Sequence, residues 1–334
     1  MWKLSDELTI CSPGPTPLRK LRGNGRRARA MLRSVMSHEL AMSACGYRTD
    51  CPPSYSAADI IRSAAEWNLS NITATAALAA RRASAAADCS SHGTKVRTSV
   101  LATGGWCLSE PIPKNHGRSR SGGTVFLGPN ETHILPAGHY PADRNVVFVL
   151  AALLSNRIPS LAIDRPQSIN DFGAGVGQYG HALRSIDPNV AWSGFDGAGN
   201  VESYTKGFVR FFDLTLPLNL PRADWVLSLE VGEHLPSSME AMYLRNLHAH
   251  QCRGIIGSWA ALGQAGTGHI NNHRREYVVR RFEELGYERH EELERLLRTN
   301  VQRLNDGCNA TCQLPTYRQL HDNCFAMVRK IPIC

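Results

Sequence analysis

The chain has 334 residues, with 37 Lys and Arg against 29 Asp and Glu, a net charge of +8. No apolar run reaches the length of a membrane span, and no secretory leader stands out at the N-terminus. Residues 1–150 hold 18 basic and 10 acidic side chains, so the remainder balances at 19 against 19 and lacks the basic stripe that long nucleic acids need.

In chain order, residues 1–100 read as a poorly specified, partly disordered extension. Arg19, Lys20, Arg22, Arg26, Arg27, Arg29 and Arg33 make it basic, as an organellar targeting segment or a plain basic tail would be. An Ala-rich helical stretch at 54–88 follows and is read as peripheral to the core. Thr103-Gly-Gly-Trp-Cys107 and His139-Tyr-Pro-Ala-Asp143 then lie within residues 101–166, which are expected to form a helical lid carrying Trp106 and Tyr140. Asp143 is placed to cap a helix over Val146–Leu154.

From residue 167 onward, strand and helix patterns alternate. A strand ends at Asp171 and runs into Gly173, Gly175 and Gly177. A helix spans 179–186. Strands follow at 190–195, ending on Asp196, and at 208–212, ending on Asp213. A fourth at 225–229 leads into Glu230-Val-Gly-Glu233-His234, and a fifth covers 254–259. Further helices are expected at 238–250, 274–285 and 291–298, with a last strand at 323–330. This alternation predicts an α/β fold, a mostly parallel sheet with helices on both faces. Ligands then bind beyond the carboxyl ends of the strands, where the acids sit.

The glycine turn alone leaves two cofactors open. Gly175-x-Gly177-x-x-Gly180 fits a dinucleotide fingerprint, and Asp196 stands about 20 residues on. A carboxylate beside the turn disfavours a pyrophosphate and suits a ligand with a cationic end. No Tyr-x-x-x-Lys pair accompanies it to support an NAD(P)-dependent oxidoreductase.

Asp171-x-Gly-x-Gly-x-Gly177, with Asp196, Asp213 and the Glu230–His234 string in order, resembles class I S-adenosylmethionine (SAM)-dependent methyltransferases over about Gln167 to Lys330. The resemblance implies a seven-stranded Rossmann-like sheet with an antiparallel last strand in a domain at 167–334. It assigns Asp171, Gly173, Gly175, Gly177, Tyr179, Asp196, Asp213 and Glu230 to SAM. It points to an enzyme that methylates an O or N atom of a small molecule. A non-catalytic SAM-fold binding protein is the remaining reading of the same fold.

Catalytic candidates are Glu230, Glu233, His234 and His269, with His273 near the last of them. Glu230-x-x-Glu-His234 also resembles the string of small-RNA 2′-O-methyltransferases, in which it holds a divalent metal. That makes a metal-assisted RNA-end enzyme the alternative; no metal ligand is assigned. Ten cysteines form no C-x-x-C pair, so free thiols and a cytoplasmic, reducing setting are expected. His181, His248 and His250 are read as surface or helix-face residues.

Overall fold

Strand β3 (Ser168–Phe172) forms the middle of a seven-stranded sheet. The computed structural model describes residues 56–60, 71–92, 105–108, 124–128, 131–136, 139–299 and 317–333, all within one compact unit, Tyr55–Cys334. The basic N-terminal segment lies outside these residues.

Parallel strands β4 (Ala191–Asp196) and β5 (Val209–Phe211) extend the sheet on one side of β3. On the other side come β6 (Ala223–Ser228) and β7 (Gln251–Gly257). The antiparallel β9 (Phe325–Arg329) and β8 (Tyr287–Arg289) complete the order β5-β4-β3-β6-β7-β9-β8. The sequence pattern anticipates six of these strands to within a few residues but not β8. Three residues offer no usable alternation, and the strand is defined by its pairing with β9.

Side chains alternate between the two faces. Trp225 and Leu227 enter one buried cluster, whereas Val226 between them enters the other. The first cluster is covered by α2 (Arg144–Leu154) and by α7 (Glu291–Arg298), through Leu293 and Leu297. The second is covered by α5 (Glu240–Ala249) and α6 (Arg275–Glu284), through Tyr243, Leu244, Leu247, Val278 and Phe282. With both faces covered, β6 is buried throughout, which is why it reads as an apolar run.

Polar locks set the edges of this frame. Asp224 accepts two hydrogen bonds from the Arg165 guanidinium, at 2.7 and 2.8 Å, and one from the Ser168 backbone N–H. Asp143 caps α2 as expected, accepting the Val146 N–H at 3.1 Å. Its other oxygen accepts the Tyr317 N–H and lies 2.9 Å from His321 Nε2, tying α2 to α8 (Arg318–Asn323).

Three expectations are corrected. Helix α1 (Asn71–His92) is not peripheral: Ala85 is buried in the first cluster, and Arg81 pairs with buried Asp213. The cysteines are not all free thiols. Cys89 and Cys107 are bonded to each other, and Cys252 is also in a disulfide. His250 is buried, its Nδ1 bonded to the Asn246 carbonyl, because the chain turns inward there to start β7. A two-stranded ribbon, β1 (Thr124–Gly128) with β2 (Glu131–Ile134), was not anticipated either.

Candidate cofactor and acceptor site

A cavity of about 560 Å³ opens beyond the carboxyl ends of β3, β4 and β6, within the size range of small-molecule sites. The glycine turn forms its floor. The N–H groups of Gly173 and Ala174 both donate to the Phe195 carbonyl, at 2.8 and 2.9 Å. Gly173 has φ +81°, and a Cβ there would sit 2.2 Å from Val231 Cγ2. Only glycine lets the turn pass under the loop after β6. Gly175 also faces the cavity. Gly177 does not: it precedes α3 (Gln178–Ile186) at φ +82°, and its bare face packs on the Phe208 ring.

Two acids face the cavity beside this turn. Asp171 is 2% exposed and accepts the Trp192 indole N–H at 3.1 Å. Burial pushes its carboxyl up to about 7; the Trp192 bond opposes this and nearby Asp196 adds to it. Asp196 is raised to about 6 by burial, against the pull of the Ala198 and Gly175 N–H groups. Such carboxyls are costly without a cationic or hydroxyl-rich partner. Tyr179 lines the cavity too, its hydroxyl accepting the Asp143 N–H at 3.3 Å.

Asp213 is not on the wall. Its Oδ1 accepts the Thr215 N–H and hydroxyl, and Oδ2 meets Arg81 at 3.2 Å; Leu214 takes the place at the cavity instead.

The opposite end of the cavity is built by the segment after β6. Glu230 lines it with φ +54°, its N–H held by Ser258 Oγ and its Oε2 accepting from Gln264 at 3.3 Å. A non-glycine residue in this backbone region is uncommon and marks a constrained position. Glu233 is fully buried behind the wall. Its carbonyl accepts the N–H groups of Ile270 and Asn271, at 2.8 and 3.0 Å. These bonds bring His269 beside His234, their ring centroids 5.0 Å apart.

Burial holds His234 down at about 4, and the His269 neighbour adds to the effect. His234 is therefore neutral near pH 7. Its Nδ1 lies 3.2 Å from the Gly268 carbonyl, which can only accept, so Nε2 carries the free lone pair. Burial, then the Glu230 carboxylate, raises Glu233 well above the usual range.

Ligand atoms of Glu233, His234 and His269 all lie within 4.8 Å of one another. Among the described residues, neither Glu233 oxygen has a hydrogen-bond partner of normal geometry, although its own N–H, the Ala260 N–H and Glu230 lie close to it. Two imidazoles and a buried carboxyl whose hydrogen bonding is incomplete fit a divalent metal by donor chemistry. His273, by contrast, is spent structurally: it bonds Glu240 at 2.7 Å and stacks on Tyr277.

Trp106 and Tyr140 both line the cavity. Trp106 packs edge-on against His139 and His234, at 5.9 and 5.2 Å between centroids. Tyr140 is largely exposed at the rim against Tyr317. His139, Gln178, Gln264 and Tyr317 also line the cavity and were not anticipated. Of these, Gln178 is the first residue after the glycine turn and His139 opens the His139–Asp143 motif; Gln264 and Tyr317 carried no local signal.

No known protein-family model matches the chain, and no curated protein is similar to it in sequence. Among solved structures, magnesium protoporphyrin IX methyltransferase from Synechocystis PCC 6803 with bound SAM is 17% identical. That match covers 56% of this chain and 79% of the other, with a TM-score of 0.37. The methyltransferase domain of bacterial CtHen1-C is 14% identical over 57% of this chain and 98% of its own, at 0.38. The O-methyltransferase NcsB1 from neocarzinostatin biosynthesis, in complex with S-adenosyl-L-homocysteine (SAH) and 1,4-dihydroxy-2-naphthoic acid, is 14% identical. It covers 37% of this chain and 44% of its own, at 0.29. Likenesses this distant assign no activity. The strand order with its antiparallel β9 is the seven-stranded, mostly parallel α/β sheet that the sequence resemblance implied.

Proposed function

We propose that the chain is a SAM-dependent methyltransferase acting on an oxygen or nitrogen of a small-molecule acceptor. The observation that carries this reading is the pair of buried acids, Asp171 and Asp196, beside the Gly173–Gly175 turn. An ammonium group near Asp171 and ribose hydroxyls at Asp196 would repay the burial of both carboxyls. The glycines would let the cofactor lie against the backbone.

Methyl transfer needs the acceptor lone pair in line with the methyl–sulfur bond. Bound SAM would supply an electrophilic methyl group and would take back the electrons of the methyl–sulfur bond, ending as SAH. An acceptor hydroxyl or N–H must also lose a proton. Neutral His234, with Nε2 free and Trp106 packed against it, is the base we assign; Glu230 and His269 complete the acceptor end. The test is calorimetric titration with SAH, which should bind one to one and bind far more weakly to Asp196→Ala.

A second reading is favoured by one cluster. A divalent metal held by Glu233, His234 and His269 would lower the pKa of an acceptor hydroxyl. It predicts loss of activity with chelator and recovery with Mn²⁺ or Mg²⁺. The balanced charge after residue 150 speaks for a small acceptor over RNA under either reading.

A further inference from the structure

We propose that the Cys89–Cys107 disulfide is a positioning element of the cofactor pocket. It fixes the Trp106 segment across the cavity, so that cofactor affinity depends on an oxidised cystine. The proposal rests on the cofactor reading above.

Cys107 follows Trp106 directly and is buried, while Cys89 lies near the end of α1. The bond therefore joins a helix outside the sheet to the residue beside the pocket aromatic. The surface under both partners is the loop after Asp196. A Cβ on Gly105 would stand 2.5 Å from the Gly197 carbonyl carbon. One on Gly199 would stand 2.1 Å from the Ala85 carbonyl oxygen and 2.8 Å from Cys89 Sγ. Both approaches need glycine at both places. Asn200 closes the arrangement: its amide oxygen accepts the Leu108 N–H, and its amide nitrogen donates to the Leu108 carbonyl, each at 2.8 Å.

The segment Gly105–Leu108 is thus held at one end by Asn200 and beside Trp106 by the cystine. Gly105 and Trp106 themselves line the cavity, as do Asp196, Gly197 and Ala198 on the loop beneath them. Reduction by a dithiol moves two electrons and two protons to the cystine, gives two thiols and leaves the reductant as a disulfide. It removes the covalent tie and leaves the Asn200 bonds. The segment then spends only part of its time over the pocket, and apparent affinity falls by that fraction. Disulfides of this kind persist in oxidising compartments, which is where this arrangement would work.

The experiment uses the full chain purified without reductant. Digestion under non-reducing conditions should give a linked Cys89–Cys107 peptide. SAH titration should show roughly tenfold weaker binding after dithiothreitol and in the double variant Cys89→Ser, Cys107→Ser. The double variant separates this cystine from the one involving Cys252. Gly199→Ala, which pushes α1 and the Cys89 sulfur off the loop while keeping both cysteines in the chain, should weaken SAH in the same way. Quenching of Trp106 fluorescence by acrylamide, read as the difference from Trp106→Phe, should rise on reduction without any cofactor present.

Equal SAH affinity in oxidised, reduced and double-variant protein, all folded by circular dichroism, overturns the proposal but leaves the cofactor reading standing. So does an unlinked Cys89. Failure of the oxidised wild type to bind SAH overturns both.

Discussion

Asp196 Oδ2 accepts the Gly175 backbone N–H at 2.8 Å, joining the end of β4 to the middle of the glycine turn after β3. Its other oxygen accepts the Ala198 N–H at the same distance. One carboxylate thereby shapes the turn and the following loop, and still has lone pairs for a ligand.

Asp196→Ala therefore removes both a support and a ligand group. SAH affinity should fall by about a hundredfold, near 2.7 kcal/mol. Asp196→Asn can still accept one of the two backbone bonds and should fall less. Calorimetric titration of the two variants checks the order.

Asp171 gives a pH signature. Its folded carboxyl is raised to about 7, and that of Asp196 to about 6. A ligand that needs both ionised should bind more tightly as pH rises from 5 to 8. Below pH 6 the loss should approach about tenfold per unit for each acid that must give up its proton. SAH affinity measured across that range decides this.

The same shift bears on stability with the opposite sense. A raised folded pKa means that the folded state holds the proton more tightly. Stability from this group is full below the unfolded pKa and is lost as pH rises through about 7. At pH 8 Asp171→Asn should therefore melt roughly 2–4 °C above wild type, from about 1 kcal/mol or more, while losing SAH binding. A melting curve with and without SAH reads both effects. Equal melting points would place no strain at Asp171.

The Glu294 cluster predicts a purely structural effect. Glu294 is buried and bonded to Arg275 and Arg289, at 2.5 and 2.6 Å. Burial pushes its carboxyl up, but the Arg289 bond and the Arg275 charge more than offset this, so its pKa lies below the usual value. A depressed pKa gives stability that is present above the unfolded value and lost as pH falls through the folded one. Glu294→Gln should cost about 3 kcal/mol in urea unfolding near pH 7. The difference should shrink in acid, and SAH affinity should be unaffected.

Arg81→Ala tests the role of α1. It leaves the fully buried Asp213 carboxylate with its Thr215 bonds but without its charge partner. A loss of about 1–3 kcal/mol is expected by chemical denaturation.

The sheet and the acid-bearing strand ends were legible because each depends on local pattern. Apolar runs mark β3, β4, β6 and β7, and Asp171, Asp196 and Glu230 follow at the edges where ligands gather. Gly177 and Asp213 fit the same pattern but are spent inside the protein, on Phe208 and on Arg81. A spacing motif cannot distinguish a residue facing the cavity from one packed behind it. The rest of the site comes from distant segments. Trp106 meets His234 across more than a hundred residues, and Gln264 links Glu230 to Asn323. The reading of α1 as peripheral failed for the same reason. An Ala-rich helix has weak pattern of its own, and its place is set by Gly199, Asp213 and Cys107 far along the chain.

The central claim is that Asp171 and Asp196 flank a SAM site. Its most direct test is calorimetric titration of wild type, Asp171→Asn and Asp196→Ala with SAH at pH 8. The account predicts one-to-one binding by the wild type and at least about tenfold weaker binding by each variant. No binding by the folded wild type, or equal affinity in all three, would contradict it.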